Sequence, residues 1–403
     1  MKILHVVGGS PQNGAYQGAQ ILHETLLEMK IDSSILNDSN IKSKNFEIND
    51  HSKSTYFVND SFYKNILSTI FVTTEKILKT IFLHSPRSTF TIGLLGFDIT
   101  KLNEYKNADI IHLHWLNQGF INLTSLSKIN KPVIWTLRDM WAFTGGSHYN
   151  VDFEKYEKSF FSKKFKIFKK KCYNDNFQFV AISDWLKEEA KNSLVLKDRD
   201  VSKIDNNIDL SKFTFIPKNE AKNKLNIFTQ KKIILFGANN PQIKRKGWDI
   251  FVDTLKKLDK SKYYLSIFGN FWSNKILDEI GIEYKNFGFI KDKKKLNYLY
   301  SSSDIFVASS IQEAFGKTWA ESLACGTPFV CFANTAAAGI IKHKIDGYIV
   351  NELNSNQLKD GIDWLIENLD KIKDKNDLRK IAEKFDTKKI AEEYIQLYKS
   401  LIS

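Results

Sequence analysis

The chain has 403 residues, and its composition, 42% hydrophobic and 26% charged, is that of a globular protein. This length exceeds a single hydrophobic core, so two or three domains are expected. The formal net charge of +13 favours anionic partners: nucleic acid, an acidic membrane surface or phosphate-bearing ligands. Solvated surface lysines without a function account for part of such an excess equally well.

The cysteine content indicates a reducing compartment. Cys172, Cys325 and Cys331 are odd in number and form no C-x-x-C pair, which argues against a disulfide framework and a thiolate metal site. The apolar run at the N-terminus is too short for a signal peptide, and no run reaches the ~18–20 residues of a membrane-spanning helix. We therefore expect a cytoplasmic protein, soluble or at most peripheral on the inner face of the membrane.

Short apolar runs alternate with helical patterns along the whole chain, which predicts an α/β protein with parallel sheets covered on both faces. The predicted strands are Ile3–Val7, Asp109–His114, Pro132–Leu137, Phe179–Ile182, Lys232–Phe236, Tyr264–Phe268, Asp304–Ala308 and Phe329–Phe332. The turn-forming segment Asp205–Asp209, followed by Pro217, marks a domain boundary. We predict a first doubly wound domain at 1–205, a linker at 206–230 and a second domain at 231–385. A C-terminal helix at about 386–403 can pack back on the first domain. Ligands of such sheets bind at the carboxyl ends of the strands.

Two stretches of the first half are basic and amphipathic, Phe62–Leu83 and Phe160–Lys171. Such helices favour anionic membrane surfaces, but an ordinary helix with its apolar stripe in the core has the same pattern. The polar segment Ser39–Ser61, which precedes the first stretch, predicts a mobile loop.

The segment Ser309–Pro328 is the most informative part of the sequence. A strand ends near its start, a loop carries Glu313, and a helix starts at about Phe315–Gly316. The free N–H groups of a helix's first turn, together with the positive end of its dipole, bind phosphate. The alternative is a capped surface helix with two solvated glutamates. Further candidates for ligand contacts in this segment are Ala314, Lys317, Thr318 and Glu321.

This segment resembles the signature of the retaining glycosyltransferases of family 4, in which two glutamates flank seven residues. Glu313-Ala-Phe-Gly-Lys-Thr-Trp-Ala-Glu321 is followed by Ala324-Cys-Gly-Thr-Pro328, and Asp346-Gly-Tyr-Ile-Val350 is similar to the family's next strand. Asn206-Asn-Ile-Asp209 is similar to its interdomain turn, with Asn207 in place of glycine. The resemblance covers nearly the whole chain. It implies the GT-B fold, two Rossmann-like domains facing each other across a cleft. It also implies that Glu313 holds hydroxyls of the donor sugar, while Glu321 can accept the ribose hydroxyls.

The loop Phe236–Gly247 is the second anion candidate. In the family this loop ends in Lys-Gly, and its lysine and an arginine contact the donor diphosphate; Lys246 matches the lysine, and Arg245 is a substitute for the arginine. A cluster of charges on a solvated loop is the alternative. In the first domain, the stretch Gly8–Gly18 is a Gly-rich loop without the G-x-G-x-x-G fingerprint, so NAD is not indicated. The resemblance implies that Gly14 and Gly18 lie beside the donor.

The segment Trp135–Tyr149 resembles a subgroup of these enzymes that acts in bacterial surface-polysaccharide assembly. Arg138 stands where many members have a histidine that binds the transferred sugar, and Ser147 replaces a frequent cysteine. Arginine is no base near neutral pH but donates to a hydroxyl or a phosphate, and Asp139 and His148 are candidates for other contacts. Two further patterns have a structural and a metal-binding interpretation, and we favour the structural one for both. His112 and His114 are expected to be core or cleft residues rather than a metal pair. Asp198-Arg-Asp200 is expected to be solvated surface rather than a D-x-D metal motif.

The resemblance implies a glycosyltransferase of the hexosyltransferase class that needs neither a metal nor a cofactor. It would transfer a sugar with retention from a UDP- or GDP-sugar to a hydroxyl of a glycan or a lipid-linked glycan in surface polysaccharide biosynthesis. Three alternatives stay open at this point. A catalytically silent GT-B subunit fits the departure at Arg138. A basic nucleic-acid-binding protein fits the charge, although no nucleic-acid-binding motif is recognised. A sugar-nucleotide epimerase fits the fold.

Overall fold

The computed structural model describes residues 1–10, 13–38, 54–58, 61–83 and 88–402, with the backbone alone at 81–83. The chain divides into two compact units. Unit 1 comprises Met1–Asn207 together with Thr387–Ser403, and unit 2 comprises Ile208–Asp386.

Unit 1 is a seven-stranded parallel sheet with the strand order β3-β2-β1-β4-β5-β6-β7. Its strands are β1 (Lys2–Val6), β2 (Asp32–Asn37), β3 (Thr55–Phe57), β4 (Ile110–Leu113), β5 (Val133–Leu137), β6 (Phe177–Ala181) and β7 (Val201–Lys203). Its helices are α1 (Gly14–Glu28), α2 (Phe62–Leu83), α3 (Asn103–Asn107), α4 (Glu154–Glu157), α5 (Phe160–Cys172), α6 (Asp184–Lys191) and α14 (Thr387–Ile402).

Unit 2 is a six-stranded parallel sheet with the order β10-β9-β8-β11-β12-β13. Its strands are β8 (Lys232–Gly237), β9 (Tyr263–Phe268), β10 (Tyr284–Asn286), β11 (Ile305–Ala308), β12 (Phe329–Phe332) and β13 (Tyr348–Val350). Its helices are α7 (Lys218–Lys224), α8 (Trp248–Lys257), α9 (Lys275–Ile280), α10 (Lys293–Ser302), α11 (Lys317–Ala324), α12 (Ser355–Glu367) and α13 (Lys375–Ala382).

The two sheets reverse their strand order at corresponding places. In unit 1 the reversal lies between β1 and β4, and in unit 2 it lies between β8 and β11. In open α/β sheets, ligands bind outside the carboxyl ends of the strands at this point. A ligand site is therefore expected at the loops that follow β1, β4 and β5 in unit 1, and β8 and β11 in unit 2.

The eight strands predicted from the sequence are all present as β1, β4, β5, β6, β8, β9, β11 and β12, with ends within two residues of the prediction. Most strands that carried no prediction, β2, β3, β7 and β10, are short or include exposed residues. Of the predicted loop Ser39–Ser61, residues 39–53 and 59–60 lie outside the described residues, and Thr55–Phe57 forms β3. Residues 208–230, predicted as a linker, belong to unit 2 and contain α7.

The C-terminal helix α14 is part of the core of unit 1. Ile390, Tyr394 and Tyr398 are at most 2% exposed and pack with residues of α1, β1, β4 and β5. Fully burying a large apolar side chain contributes about 1.5–3 kcal/mol. Three such residues at helical spacing are enough to hold α14 on the sheet.

The two basic amphipathic stretches form helices α2 and α5, and each has an apolar surface that no described residue covers. On α2, the exposed residues Phe62, Ile66, Ile70 and Ile77 recur at helical spacing. On α5, Phe160 and Phe161 are 67% and 75% exposed. No helix among the described residues is long and apolar enough to cross a membrane.

Candidate functional site

In unit 2 the loops that follow β8 and β11 are packed directly on each other. Gly247 ends the turn Lys244–Lys246 with φ at 68°, and a β-carbon there would lie 1.9 Å from the carbonyl oxygen of Ser309. Ile311 N donates to the carbonyl of Arg245 at 2.7 Å, and Ser309 Oγ donates to the carbonyl of Lys246 at 2.9 Å. Because only glycine tolerates both the conformation and this approach, Gly247 brings the two loops into contact.

This contact brings Glu313 against two cations. Its Oε2 accepts a short hydrogen bond from Lys246 Nζ and lies 3.5 Å from Arg245 NH1. The three side chains are 12%, 17% and 20% exposed, respectively. Burial alone would raise the pKa of Glu313, but Lys246 and Arg245 outweigh it and the pKa is lowered. Burial also lowers the pKa of Lys246, against the opposing charge of Glu313. The three side chains form a largely buried cluster of two cations and one carboxylate.

The start of α11 lies in the same loop cluster. Gly316, at φ 88°, precedes the helix, and no side chain among the described residues caps it. Lys317 and Thr318 are the first two helical residues, so the helix begins one residue later than predicted. Ala314 and Phe315 are 2% and 1% exposed. Their side chains therefore belong to the core of unit 2, and any ligand would meet their backbone.

Glu321 lies on the next turn of α11, with its side chain 7% exposed. Its Oε2 accepts from Tyr300 Oη at 2.9 Å, and its Oε1 lies 3.4 Å from Lys293 Nζ. Burial and the nearby carboxylate raise the pKa of Tyr300 well above its ordinary value, which keeps the phenol a donor. Both partners come from α10 and hold the carboxylate in one orientation.

In unit 1 the predicted Gly-rich loop is shorter than its sequence suggests. Helix α1 begins at Gly14, and Asn13 caps it by accepting from Ala15 N at 3.0 Å. Gly18 therefore lies inside α1 rather than in the loop. A β-carbon at Gly18 would lie 2.5 Å from Arg138 NH1. This glycine makes room for a side chain of the same unit.

The segment after β5 carries an ordered pair, Asp139 and His148. His148 Nδ1 lies 2.6 Å from Asp139 Oδ2, which also accepts from Trp115 Nε1 at 3.0 Å. His148 Nε2 is 3.2 Å from Thr91 Oγ1. Burial would raise the pKa of Asp139, but His148 and the hydrogen bonds outweigh it and the pKa is lowered. The pair fixes the segment as well as the tautomer of His148.

Glu157 supports this segment from α4, and no sequence pattern indicated it. Its carboxylate accepts from Gly145 N at 3.0 Å, from Ser147 Oγ at 2.6 Å and from Ser162 Oγ at 2.9 Å. It also pairs with Lys166 at 2.8 Å. These hydrogen bonds outweigh the effect of burial, so the pKa of Glu157 is lowered. The buried carboxylate of Glu157 thus holds the turn before His148 in place.

Three histidines, His5, His112 and His114, have ligand atoms within 4.8 Å of one another in the interior of unit 1. Except for His5 Nε2, which is buried without a hydrogen-bond partner among the described residues, their nitrogens are engaged with one another or with neighbours. His5 Nδ1 is 3.0 Å from His114 Nε2, and His112 bonds Tyr398 Oη at 2.6 Å and Thr136 Oγ1 at 2.7 Å. Burial lowers the pKa of all three imidazoles well below the ordinary value. The cluster is a neutral hydrogen-bonded network in the core. At the surface of the same unit, Asp198 pairs with Lys170 at 2.5 Å.

Comparisons with known proteins bear on both halves of the chain. The family "Glycosyl transferases group 1" matches residues 217–385, and "Glycosyltransferase Family 4" matches residues 73–212. The chain belongs to the group 1 glycosyltransferases of the GT-B fold. The family assignment and the two-domain Rossmann-like fold expected from the Glu313–Glu321 motif are thereby confirmed.

Individual relatives of this glycosyltransferase are distant. An uncharacterised 41.2 kDa protein in the cps region of Klebsiella pneumoniae is 25% identical over 71% of this chain and 77% of its own length. An uncharacterised glycosyltransferase of Methanocaldococcus jannaschii is 24% identical over 68% of this chain and 67% of its own. Among solved structures, Anabaena HepE in complex with UDP-glucose superposes with a TM-score of 0.69 at 17% identity, covering 99% of this chain and 100% of that one. At such identity the structural likeness shows the fold alone.

Proposed function

We propose that this glycosyltransferase moves a sugar, with retention and without a metal, from a nucleoside-diphosphate sugar to a hydroxyl of a glycan or a lipid-linked glycan. The proposal rests on one observation: the carboxylate of Glu313 contacts the cations Lys246 and Arg245, and the start of α11, which no side chain of the described residues caps, lies in the same loop cluster. Two cations and a helix N-terminus suit a diphosphate. The bound UDP-glucose of HepE and the cps-region location of the Klebsiella relative support a nucleotide sugar and a polysaccharide product.

Each residue has a role in this proposal. The departing diphosphate gains negative charge, which Lys246, Arg245 and the first N–H groups of α11 stabilise. Losing one such preorganised donor typically costs roughly 3–4 kcal/mol of transition-state stabilisation. The diphosphate would replace Glu313 on the cations, freeing that carboxylate for hydroxyls of the transferred sugar. Glu321, held by Tyr300, would accept the ribose hydroxyls. Gly14, Asp139 and His148 remain proposed substrate contacts at the carboxyl edge of the unit 1 sheet.

The test uses donor binding and turnover together. Thermal shift with UDP-, GDP- and ADP-sugars identifies the donor, because a ligand at ~100-fold its Kd adds about 2.7 kcal/mol of stability. Glu321→Ala should then weaken donor binding, and Glu313→Ala should mainly lower kcat. The control is Glu279→Ala, a glutamate of the same unit whose side chain is 63% exposed. Wild-type donor binding and turnover in both site variants would contradict the proposal.

We further propose that the acceptor is lipid-linked and that unit 1 attaches peripherally to an anionic membrane. The exposed faces of α2 and α5 support this. On α5, Phe160 and Phe161 lie on the same exposed surface as Lys163, Lys164 and Lys171. Apolar area and lysines together give salt-sensitive attachment, with each lysine near the surface contributing about 1 kcal/mol. The other lysines of α5 are engaged within the fold: Lys166 with Glu157, Lys169 with Trp141 and Lys170 with Asp198.

The membrane test therefore needs three lysines rather than all six of the helix. Replacement of Lys163, Lys164 and Lys171 by Gln should release the protein from anionic liposomes at low salt. It should also lower activity on a lipid-linked acceptor more than on a soluble analogue. The matched control replaces Lys256, Lys260 and Lys262, exposed lysines of unit 2. If the wild-type protein does not bind anionic vesicles at low salt, a soluble acceptor is favoured.

A further inference from the structure

Arg138, the first residue after β5, is a cation whose hydrogen-bond partners in the described part of the chain are both neutral. Its NH1 donates to Asn206 Oδ1 at 2.5 Å and its NH2 to His114 Nδ1 at 3.3 Å. Its Nε is buried and has no hydrogen-bond partner among the described residues. Of the ion pairs found in the described part of the chain, none includes Arg138. Buried charges in proteins are normally paired, because an unpaired one loses its hydration without compensation.

The groups that surround Arg138 are neutral. Burial, and then the charge of Arg138 itself, lower the pKa of His112 well below the ordinary value. Burial raises the pKa of Tyr394 and Tyr398, and both remain phenols. The nearby acid Asp205 lies 3.4 Å from Lys203 Nζ. Within the described residues, the hydrogen-bond partners of the guanidinium, Asn206 and His114, thus bring it no negative charge.

The same contacts leave no free lone pair for a cation among the neighbouring imidazoles. Because Arg138 only donates, His114 Nδ1 accepts, and the proton of His114 is on Nε2. His114 Nε2 is 3.0 Å from His5 Nδ1, which accepts this hydrogen bond, so the proton of His5 is on its own Nε2. The acceptor nitrogens of His5 and His114 are both used. A metal ion would also face the positive charge of Arg138, so an anion is the ligand that this cluster suits.

The position of Arg138 in the fold also suits an anion. The residue lies at the carboxyl end of β5, the ligand edge of such a sheet. Helix α1 passes so close that a β-carbon at position 18 would lie 2.5 Å from Arg138 NH1. An arginine offers five N–H donors in a planar fork, and an edge with the unengaged Nε binds a carboxylate or a phosphate bidentately.

We propose that Arg138 binds an anionic group carried by a sugar substrate, either the carboxylate of a uronate or a phosphate ester. This inference rests on the proposed function, in which Lys246, Arg245 and α11 take the donor diphosphate. The anion at Arg138 is a second one, and it belongs to the transferred sugar or to the acceptor. Arg138 is thus a specificity-determining residue of the transferase.

The test compares pairs of probes in which one member carries an added anionic group, a carboxylate or a phosphate. UDP-glucuronate is compared with UDP-glucose, methyl glucuronoside with methyl glucoside, and glucose 6-phosphate with glucose, by calorimetry on the full-length protein. A hydrogen-bonded pair of charges predicts that at least one anionic probe binds about ten- to a hundredfold more tightly than its neutral twin. The preferred pair identifies the source of the anion: donor carboxylate, acceptor carboxylate or phosphate.

Variants then assign the preference to the residue. Arg138→Gln should abolish the difference between the two members of the preferred pair, and Arg138→Lys, which keeps the positive charge, should restore part of it. Arg199→Gln, at a surface pair with Asp175, should leave it unchanged. Equal affinities for all twins, or a preference that survives Arg138→Gln, would overturn the inference. Binding and turnover of UDP-glucose without any anion preference would leave the proposed function standing while this inference falls. An Arg138-dependent preference for methyl glucuronoside without any nucleotide-sugar binding would support this inference and contradict the proposed function.

Discussion

Lys169 is a buried lysine whose charge should make the stability of unit 1 depend on pH above neutrality. The residue is 0% exposed, donates to the carbonyl of Trp141 and lies 3.9 Å from the centre of its indole ring. Burial lowers the pKa of Lys169 to about 7, although Glu157 and Asp139 oppose that shift. The unfolded chain keeps the ordinary value of 10.5. We expect Lys169→Met to remove the resulting pH dependence.

The sign and the size follow from proton linkage. Between pH 7 and 10.5 the unfolded chain holds a proton at this position that the folded protein has lost, so the free energy of unfolding rises with pH. The slope is about 1.4 kcal/mol per pH unit, or about 3 kcal/mol between pH 7.5 and 9.5. Below pH 7 the contribution is constant. Methionine removes one donor from the carbonyl of Trp141, which still accepts from Thr144, and this offset of about 0.5–1.5 kcal/mol is the same at every pH.

The assay is urea unfolding of wild type and Lys169→Met at half-unit steps from pH 6.5 to 9.5, followed by tryptophan fluorescence. The quantity compared is the difference between the two free energies of unfolding, which cancels groups common to both proteins. Lys171→Met, on the exposed face of the same helix, is the control and should give a curve parallel to the wild type. A parallel curve for Lys169→Met as well would refute the reasoning, since it would mean that Lys169 stays charged in the fold.

Three further outcomes are expected. Glu157→Gln should destabilise unit 1 by about 1.5–3 kcal/mol, because a neutral amide replaces a charged acceptor of several hydrogen bonds; chemical denaturation measures it, and an unchanged stability would contradict the role given to this carboxylate. Gly18→Ala should lower kcat/KM without unfolding the protein. Alanine favours the helix by about 0.5–1 kcal/mol, but its β-carbon displaces the guanidinium of Arg138. Wild-type kinetics in this variant would show that Arg138 does not act in the reaction. Transfer activity should survive EDTA, because the diphosphate site proposed here is built from cations of the chain; loss in chelator with recovery in Mg²⁺ or Mn²⁺ would contradict this.

The strands that the sequence predicted are those with the strongest physical signal. β4, β5, β11 and β12 are central, buried on both faces and continuously apolar or nearly so. The strands β3 and β10 lie at sheet edges, are three residues long and contain exposed or half-exposed residues. Nothing in such a short and partly exposed segment distinguishes a strand from a loop, because its place in the sheet is set by the neighbouring strand.

The unit 2 site was predictable to a similar degree. Glu313, the start of α11 and Glu321 lie within one contiguous segment, so their spacing alone brings them together once the helix forms. The partners of these groups come from elsewhere in the chain. Lys246 is 67 residues from Glu313, and Tyr300 is 21 residues from Glu321 on a different helix. The family resemblance indicated the lysine, but no local pattern indicates Tyr300, because a buried tyrosine on an amphipathic helix is usually core.

The lysines of α5 show where periodicity stops being informative. Lys163, Lys164, Lys166, Lys169, Lys170 and Lys171 form one basic run, and in the sequence each is equally a candidate for a membrane surface. In the fold Lys169 lies beneath Trp141 while Lys171 is exposed. A helical period assigns lysines to faces, but the buried residues of α5 are Ser162, Lys169 and Cys172, while the apolar Phe165 and Phe168 are only half-buried. When a lysine of an amphipathic helix can face the core, the partner of each lysine can therefore be assigned only from the three-dimensional structure.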